Sequence, residues 1–154
     1  MTRLIQLGFN SELLSVQRRM HPDIAEFSNK YFYQGKLSSN YCPPSTNVPV
    51  PPLQIINVNG QECQRGTSFY NTLEVNKVLE IEQQLRKHFK EVIIISPYKE
   101  HCKALTDQNK DIQVHTIDSY QGKEAEAIIL TTVRTGQQLG FWNDYRRLNV
   151  GMTR

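Results

Sequence analysis

The chain has 154 residues, enough for one domain of ordinary size with a real core. With 38% hydrophobic and 21% charged residues its composition is globular, which argues against a disordered chain, and no apolar run approaches the ~20 residues of a membrane helix. The net charge of +3 permits contact with nucleic acid without arguing strongly for it.

The first residues, MTRLIQLGFN, are too short and too polar for a signal peptide. An intracellular protein, cytoplasmic or nuclear, with no membrane role is expected. Cys42, Cys63 and Cys102 are scattered and fit a reducing compartment. His101 beside Cys102 is the nearest approach to a metal pair, and it reads as a solvated helix face. No metal site is expected.

A short β-like stretch over 13–16 precedes Arg18 and Arg19, and Pro22 and Asp23 then open a helix carrying Ile24, Phe27 and Tyr31. Residues 41–52 (YCPPSTNVPVPP) are too rich in proline for a helix or a central strand and read as a surface connection. Residues 53–58 (LQIINV) read as a strand. Asn71, with Glu74 three residues on, has the look of a capping box and starts a helix running through Phe89. The β-branched run 92–95 (VIII) is the mark of a strand buried on both faces. A helix over about 99–108, strands over 112–116 and 127–133, and a last helix over 144–154 capped by Asn143-Asp144 complete the pattern. Alternating strands and helices predict an α/β fold with a mostly parallel sheet, whose ligands sit beyond the carboxyl ends of the strands.

Four segments carry polar chemistry near those ends. Two adjacent arginines, Arg18 and Arg19, can hold phosphate or stack on a base, though spacing alone favours a surface pair bound to carboxylates. In ISPY, Pro97 stops the strand and Tyr98 can stack on a base or pack over the sheet edge. In TIDSYQGKEAE, Asp118 and Ser119 can bond a sugar or backbone. Gln121 and Gly122 can meet phosphate, and Glu124 a ribose hydroxyl, while the plain reading is a helix-start turn with a glycine. In NDYRRLNVGMTR, helical spacing puts Arg147, Gly151 and Arg154 on one face and Asn149 and Thr153 on another.

Together, QRRMHPDI, ISPY, DSYQGKE and RRLNVGMTR resemble, in order and spacing, the second RecA-like lobe of superfamily 1 helicases of the up-frameshift/senataxin type. That family carries Q-Y-R-M-H-P-x-I, I-(S/T)-P-Y, D-x-(F/Y)-Q-G-(R/K)-E and R-R-L-N-V-A-(L/M)-T-R-A. GTSFYNTLE is similar to its G-x-S-x-x-N-x-x-E stretch. The resemblance covers essentially the whole chain and implies a RecA-like three-layer sandwich with a mostly parallel sheet, incomplete at its C-terminus.

The resemblance also implies roles. Arg19 and Arg154 match arginines that reach the γ-phosphate of ATP. Arg18, Gln121, Gly122 and Glu124 match nucleotide-binding positions. Pro97, Tyr98, His115, Thr116, Asp118 and Ser119 match positions on the side of the single-stranded RNA or DNA. The implied activity is ATP hydrolysis by a full-length helicase. Mg²⁺ and the triphosphate would be held by a first RecA-like lobe, because this sequence has no GxxxxGK[ST] loop and no paired acids. The chain alone is expected to be inactive. Arg18 stands where the family has a tyrosine that stacks on adenine; a guanidinium plane can also stack, so adenine selectivity is open. Gly151 replaces the common alanine and should loosen the last helix by about 1 kcal/mol. Arg154, as the final residue, is expected to fray and sit unseated.

Two other classes fit the sequence less well. A non-catalytic module binding nucleic acid or protein is opposed by the intact Arg19, Gln121, Glu124 and Arg154. A dinucleotide enzyme lacks its GxGxxG fingerprint.

Overall fold

The structure, a computed structural model, describes residues 4, 6–42 and 48–154. Residues 43–47 of the proline-rich connection lie outside the described residues, as do 1–3 and 5. The chain divides into two compact units, Met1–Leu53 and Gln54–Arg154, the division falling at the end of that connection.

In the first unit, β1 (Val16–Gln17) pairs in parallel with β2 (Ser38–Ser39), Val16 opposite Ser38. Between them runs α1 (Pro22–Phe32). Pro22 suits the first helical turn, where its missing N–H is no loss, and His21 caps the helix by accepting from the Asp23 amide at 3.2 Å. After the helix the chain turns through Gln34 and Gly35, at φ 56° and 74°. The Asn29 side chain then bonds both backbone groups of Leu37, at 2.8 and 2.9 Å, and delivers the chain to β2.

The second unit is built on β5 (Val92–Ser96), buried along its whole length. It lies between β6 (Gln113–Thr116) and β7 (Ala127–Leu130), and both neighbours are parallel to it. Alternation along β5 sends its residues to two cores. Ile94 faces α2 (Thr72–Leu85) and α3 (Lys99–Gln108), packing with Val75, Val78, Leu105 and Ile112. Ile93 and Ile95 face the opposite way, onto Ile117 and Tyr120, with Phe141, Trp142 and Val150 around them. Each such buried isoleucine contributes roughly 1.5–3 kcal/mol. The second face is covered by the 117–126 loop, a 3₁₀ turn (Gly140–Asn143) and α4 (Tyr145–Met152). The result is the three-layer, parallel-sheet arrangement of a RecA-like α/β fold.

The expected buried central strand, the helix capped by Asn71 and the helix over 99–108 are all present. Several expectations are corrected, and the strand expected over 127–133 and the helix expected over 144–154 end early, at Leu130 and Met152. Residues 53–58 form no strand, and Ile55 is 89% exposed. The chain instead makes an unexpected antiparallel hairpin, β3 (Cys63–Arg65) with β4 (Ser68–Tyr70), turning on Gly66 at φ 60°. The helix opened by Asn71 stops at Leu85, short of Phe89. His101 is not solvated: it is fully buried, and its Nδ1 accepts the Asn71 amide at 3.3 Å. Burial pulls its pKa down to about 4, so it is neutral.

Candidate functional site

In the first unit the two arginines leave β1 on a turn organised by one side chain. The Gln17 amide oxygen accepts from the backbone amides of Arg19 and Met20, at 3.0 and 3.1 Å. Its Nε2 donates to the Met20 carbonyl at 2.8 Å and to the Ser39 hydroxyl on β2 at 2.7 Å. Gln17 therefore fixes the backbone from which Arg18 and Arg19 project, and both arginines are exposed. Sequence reading quoted Gln17 in its motif without giving it a task.

In the second unit, three parallel strands end on one edge. Ser96 stands opposite Thr116 in the register, so the ISPY and TIDSYQGKE segments emerge side by side. The Ser96 hydroxyl, fully buried, accepts the Tyr98 amide at 3.3 Å and the Thr131 hydroxyl of the β7 exit at 3.4 Å. Thr116 and Ser119 are bonded reciprocally, amide to hydroxyl, at 3.0 and 3.2 Å, and Ser119 also donates to the Thr116 carbonyl at 3.0 Å. Their hydroxyls are thus spent on the turn, whereas Asp118 is exposed. His115 sits beside Tyr120, ring centroids 5.1 Å apart, and burial with the Lys123 charge holds its pKa below the usual value.

Of its two readings, stacking on a base or packing over the sheet edge, Tyr98 takes the second. Its ring is 8% exposed, packed between Phe69 and Phe141, and its hydroxyl accepts the Phe141 amide at 3.2 Å. The ring is not presented for stacking on a base; it is a strut between β5 and the 3₁₀ turn. Pro97, half-buried beside it, marks where the strand stops.

Beyond β6, Ile117 and Tyr120 anchor the loop in the core, and the Tyr120 hydroxyl donates to the Glu124 carbonyl at 2.9 Å. Gln121, Gly122 and Glu124 are exposed on this loop. Gly122 has φ 86°, a conformation other residues rarely adopt, and nothing lies within 4 Å of where a Cβ would stand. An open, side-chain-free approach of this kind suits a phosphate or sugar. Among the described residues no group of three or more His, Cys, Asp or Glu could hold a metal ion.

The last helix is capped by Asp144, which accepts the Arg146 amide at 3.0 Å. Gly151 seats it against the sheet, facing Ile117 and Leu130. The helix ends at Met152, so Arg154 lies beyond it and does not share a helical face with Arg147 and Gly151. Nor is Arg154 loose. Its Nε donates to the Val150 carbonyl at 2.8 Å, and Thr153 donates to the Asn149 carbonyl at 2.8 Å.

Sequence reading did not anticipate the polar residues that fix the β7 exit. The Glu62 carboxylate takes the Arg134 guanidinium at 2.8 Å and the amides of Thr135 and Gly136 at 2.7 and 3.4 Å. Burial works against its charge, but these bonds outweigh it and hold its pKa below the usual value. The Glu74 carboxylate takes the amides of Thr132 and Val133, both at 2.8 Å. Ser68, in the same GTSFYNTLE stretch, accepts the Glu100 amide at the start of α3.

A family model described as an AAA domain matches residues 1–154. The chain is 36% identical over 167 residues to an uncharacterized ATP-dependent helicase of Methanocaldococcus jannaschii, covering 94% of this chain and 25% of that protein. The chain belongs to the AAA-domain superfamily 1 helicases of the up-frameshift/senataxin type. Within this helicase family it is 32% identical over 178 residues to the regulator of nonsense transcripts 1 homolog of Drosophila melanogaster, covering 99% of this chain and 15% of that one. It is 33% identical over 171 residues to helicase SEN1 of Saccharomyces cerevisiae, covering 92% and 8%. The chain thus spans a quarter or less of the length of these helicase relatives. Among the described residues no helix is long and apolar enough to cross a membrane.

Proposed function

We propose that this chain is the second motor lobe of an ATP-dependent helicase that moves on single-stranded RNA or DNA. The observation that carries the reading is the shared edge: three parallel strands deliver the ISPY, DSYQGKE and TTVRTG loops to one end of one sheet. Ligands of α/β sheets bind at that end.

In this reading ATP lies between this lobe and a first RecA-like lobe, which holds the triphosphate and Mg²⁺. Arg19, on the turn set by Gln17, and Arg154 carry positive charge to the γ-phosphate, where charge accumulates during transfer. Gln121 and Gly122 approach the phosphates and Glu124 the ribose. Arg18 offers its guanidinium plane to the base. The single strand runs along the loops of Pro97, Tyr98, His115, Thr116, Asp118 and Ser119. With the Tyr98 ring buried and the Thr116 and Ser119 hydroxyls engaged, Asp118 and the backbone of these turns make the contacts. Such contacts read backbone and are largely independent of sequence. Opening and closing of the two lobes about ATP then moves the strand.

The test is Mg²⁺-dependent ATP turnover by the 154-residue chain, alone and joined to a lobe that carries a phosphate loop. Background turnover alone and turnover in the joined form are expected. Vigorous turnover by the chain alone would overturn the proposal, and none in the joined form would favour a non-catalytic binding module.

A further inference from the structure

The exit of β7 is unusual. The sequence AIILTTV favours a strand through Val133, yet the strand ends at Leu130. Val133 then takes φ 66° while fully buried, and a β-branched side chain is a true outlier in that region. The Arg134 amide donates to the Thr132 carbonyl at 2.7 Å. A bond from residue i to i+2 across a positive φ is a γ-turn of the rare, strained form. Strain of this kind persists only where the surroundings impose it.

What imposes it is Glu74, whose two oxygens take the amides of Thr132 and Val133, the first two residues of the turn, both at 2.8 Å. A capping-box acid at this position would ordinarily reach back to the amide of its own cap residue. Here the Asn71 amide is already given to His101, and Glu74 reaches out to the β7 exit instead. The same Thr132 carbonyl that closes the γ-turn also accepts the Trp142 indole N–H at 2.9 Å. Trp142 lies in the 3₁₀ turn that leads into α4, next to Phe141, which the Tyr98 hydroxyl holds.

We propose that Glu74 is a positioning residue: its carboxylate holds the strained Thr132–Val133–Arg134 turn, and through the Thr132 carbonyl sets Trp142 and the start of α4. The turn itself stands on these contacts alone; its consequence for ATP turnover rests on the second-lobe reading above.

Trp142 is the only tryptophan of the chain, so its emission reports the last bond of this relay directly. In Glu74→Ala, the emission should move to the red and the Thr132 and Val133 amides should exchange with solvent about tenfold faster or more. Glu74→Gln keeps size and one acceptor, and should fall between. Adding Val133→Gly to Glu74→Ala should recover at least half of both changes, because glycine adopts the turn without strain and no longer needs the carboxylate. A purely structural role for the buried Val133 side chain predicts the opposite, a double variant worse than Glu74→Ala. That result, or unchanged Trp142 emission and exchange in both Glu74 variants, would overturn the proposal.

Joined to a first lobe, Glu74→Ala should lower kcat for ATP with little change in KM, and Val133→Gly should restore it. If Trp142 responds as described while kcat does not, the relay is upheld and the placing of α4 at the ATP cleft is overturned.

Discussion

Glu62 and Arg134 meet at 2.8 Å although 72 residues separate them in the chain. The guanidinium carbon lies 4.0 Å from the centre of the Phe69 ring, and the group also reaches the Tyr98 hydroxyl. Arg134 is only 9% exposed, so its permanent charge is balanced by this carboxylate more than by water. Breaking a buried pair strands the remaining charge, at about 3–5 kcal/mol. Glu62 is 19% exposed, so the lower end applies. Arg134→Ala and Glu62→Ala are each expected to cost about 3 kcal/mol, and the double variant clearly less than the sum. Urea denaturation with an unchanged m-value measures this; additive losses would show that the pair is not coupled.

Gly151 was expected to weaken its helix by about 1 kcal/mol relative to alanine. The structure adds a reason for glycine, since a Cβ there would stand 3.2 Å from the Ile117 Cδ1. That atom is the end of a side chain and can yield by a few tenths of an ångström. Gly151→Ala is therefore expected to stabilise the chain, by up to about 1 kcal/mol, whereas Gly151→Val should destabilise it by overpacking. Thermal midpoints of the two variants check the opposite signs.

His101 makes stability fall with acid. Its folded pKa is about 4, against an ordinary 6.5. A base whose folded pKa is depressed binds its proton more readily when unfolded. Its contribution is present above pH 6.5 and is lost as pH falls toward 4, by up to roughly 3 kcal/mol. His101→Gln cannot titrate, and its stability should fall less steeply over that window. Parallel curves for the two proteins would place the acid sensitivity elsewhere.

What sequence could deliver depended on how local the cause was. The run 92–95 announced a strand buried on both faces because its residue types alone require that environment. Asn71 announced a helix start because a cap is made within four residues. Residues 53–58 have the apolar, β-branched composition of a strand, but a strand needs a partner, and no sequence pattern names one; propensity in sheets is a statement about context. The β3–β4 hairpin was hidden by the shortness of its strands, three residues each, and only Gly66 hinted at its turn. His101 reads as solvated when taken with Cys102 alone, though its spacing of four from the buried Leu105 puts both on the inner face of α3.

The candidate site divides the same way. The turn at Gly122, though not its role, was legible because glycine readily takes the positive φ found there. For Tyr98 the sequence left stacking and packing both open, since whether a ring after a strand faces solvent depends on Phe69 and Phe141, far away in sequence. Glu62 and Arg134 left no pattern, and Glu74 showed only that of a helix cap, because each acts on a backbone or side chain more than 50 residues distant.

The most direct test of the account is ATP turnover by Arg154→Ala in a motor that joins this lobe to a first lobe, measured with single-strand affinity in the same preparation. An arginine that meets charge at the γ-phosphate is worth about a thousandfold or more in kcat. The account predicts a loss of that size with affinity for the strand nearly intact. Normal turnover in Arg154→Ala, above all with strand binding lost, would contradict it.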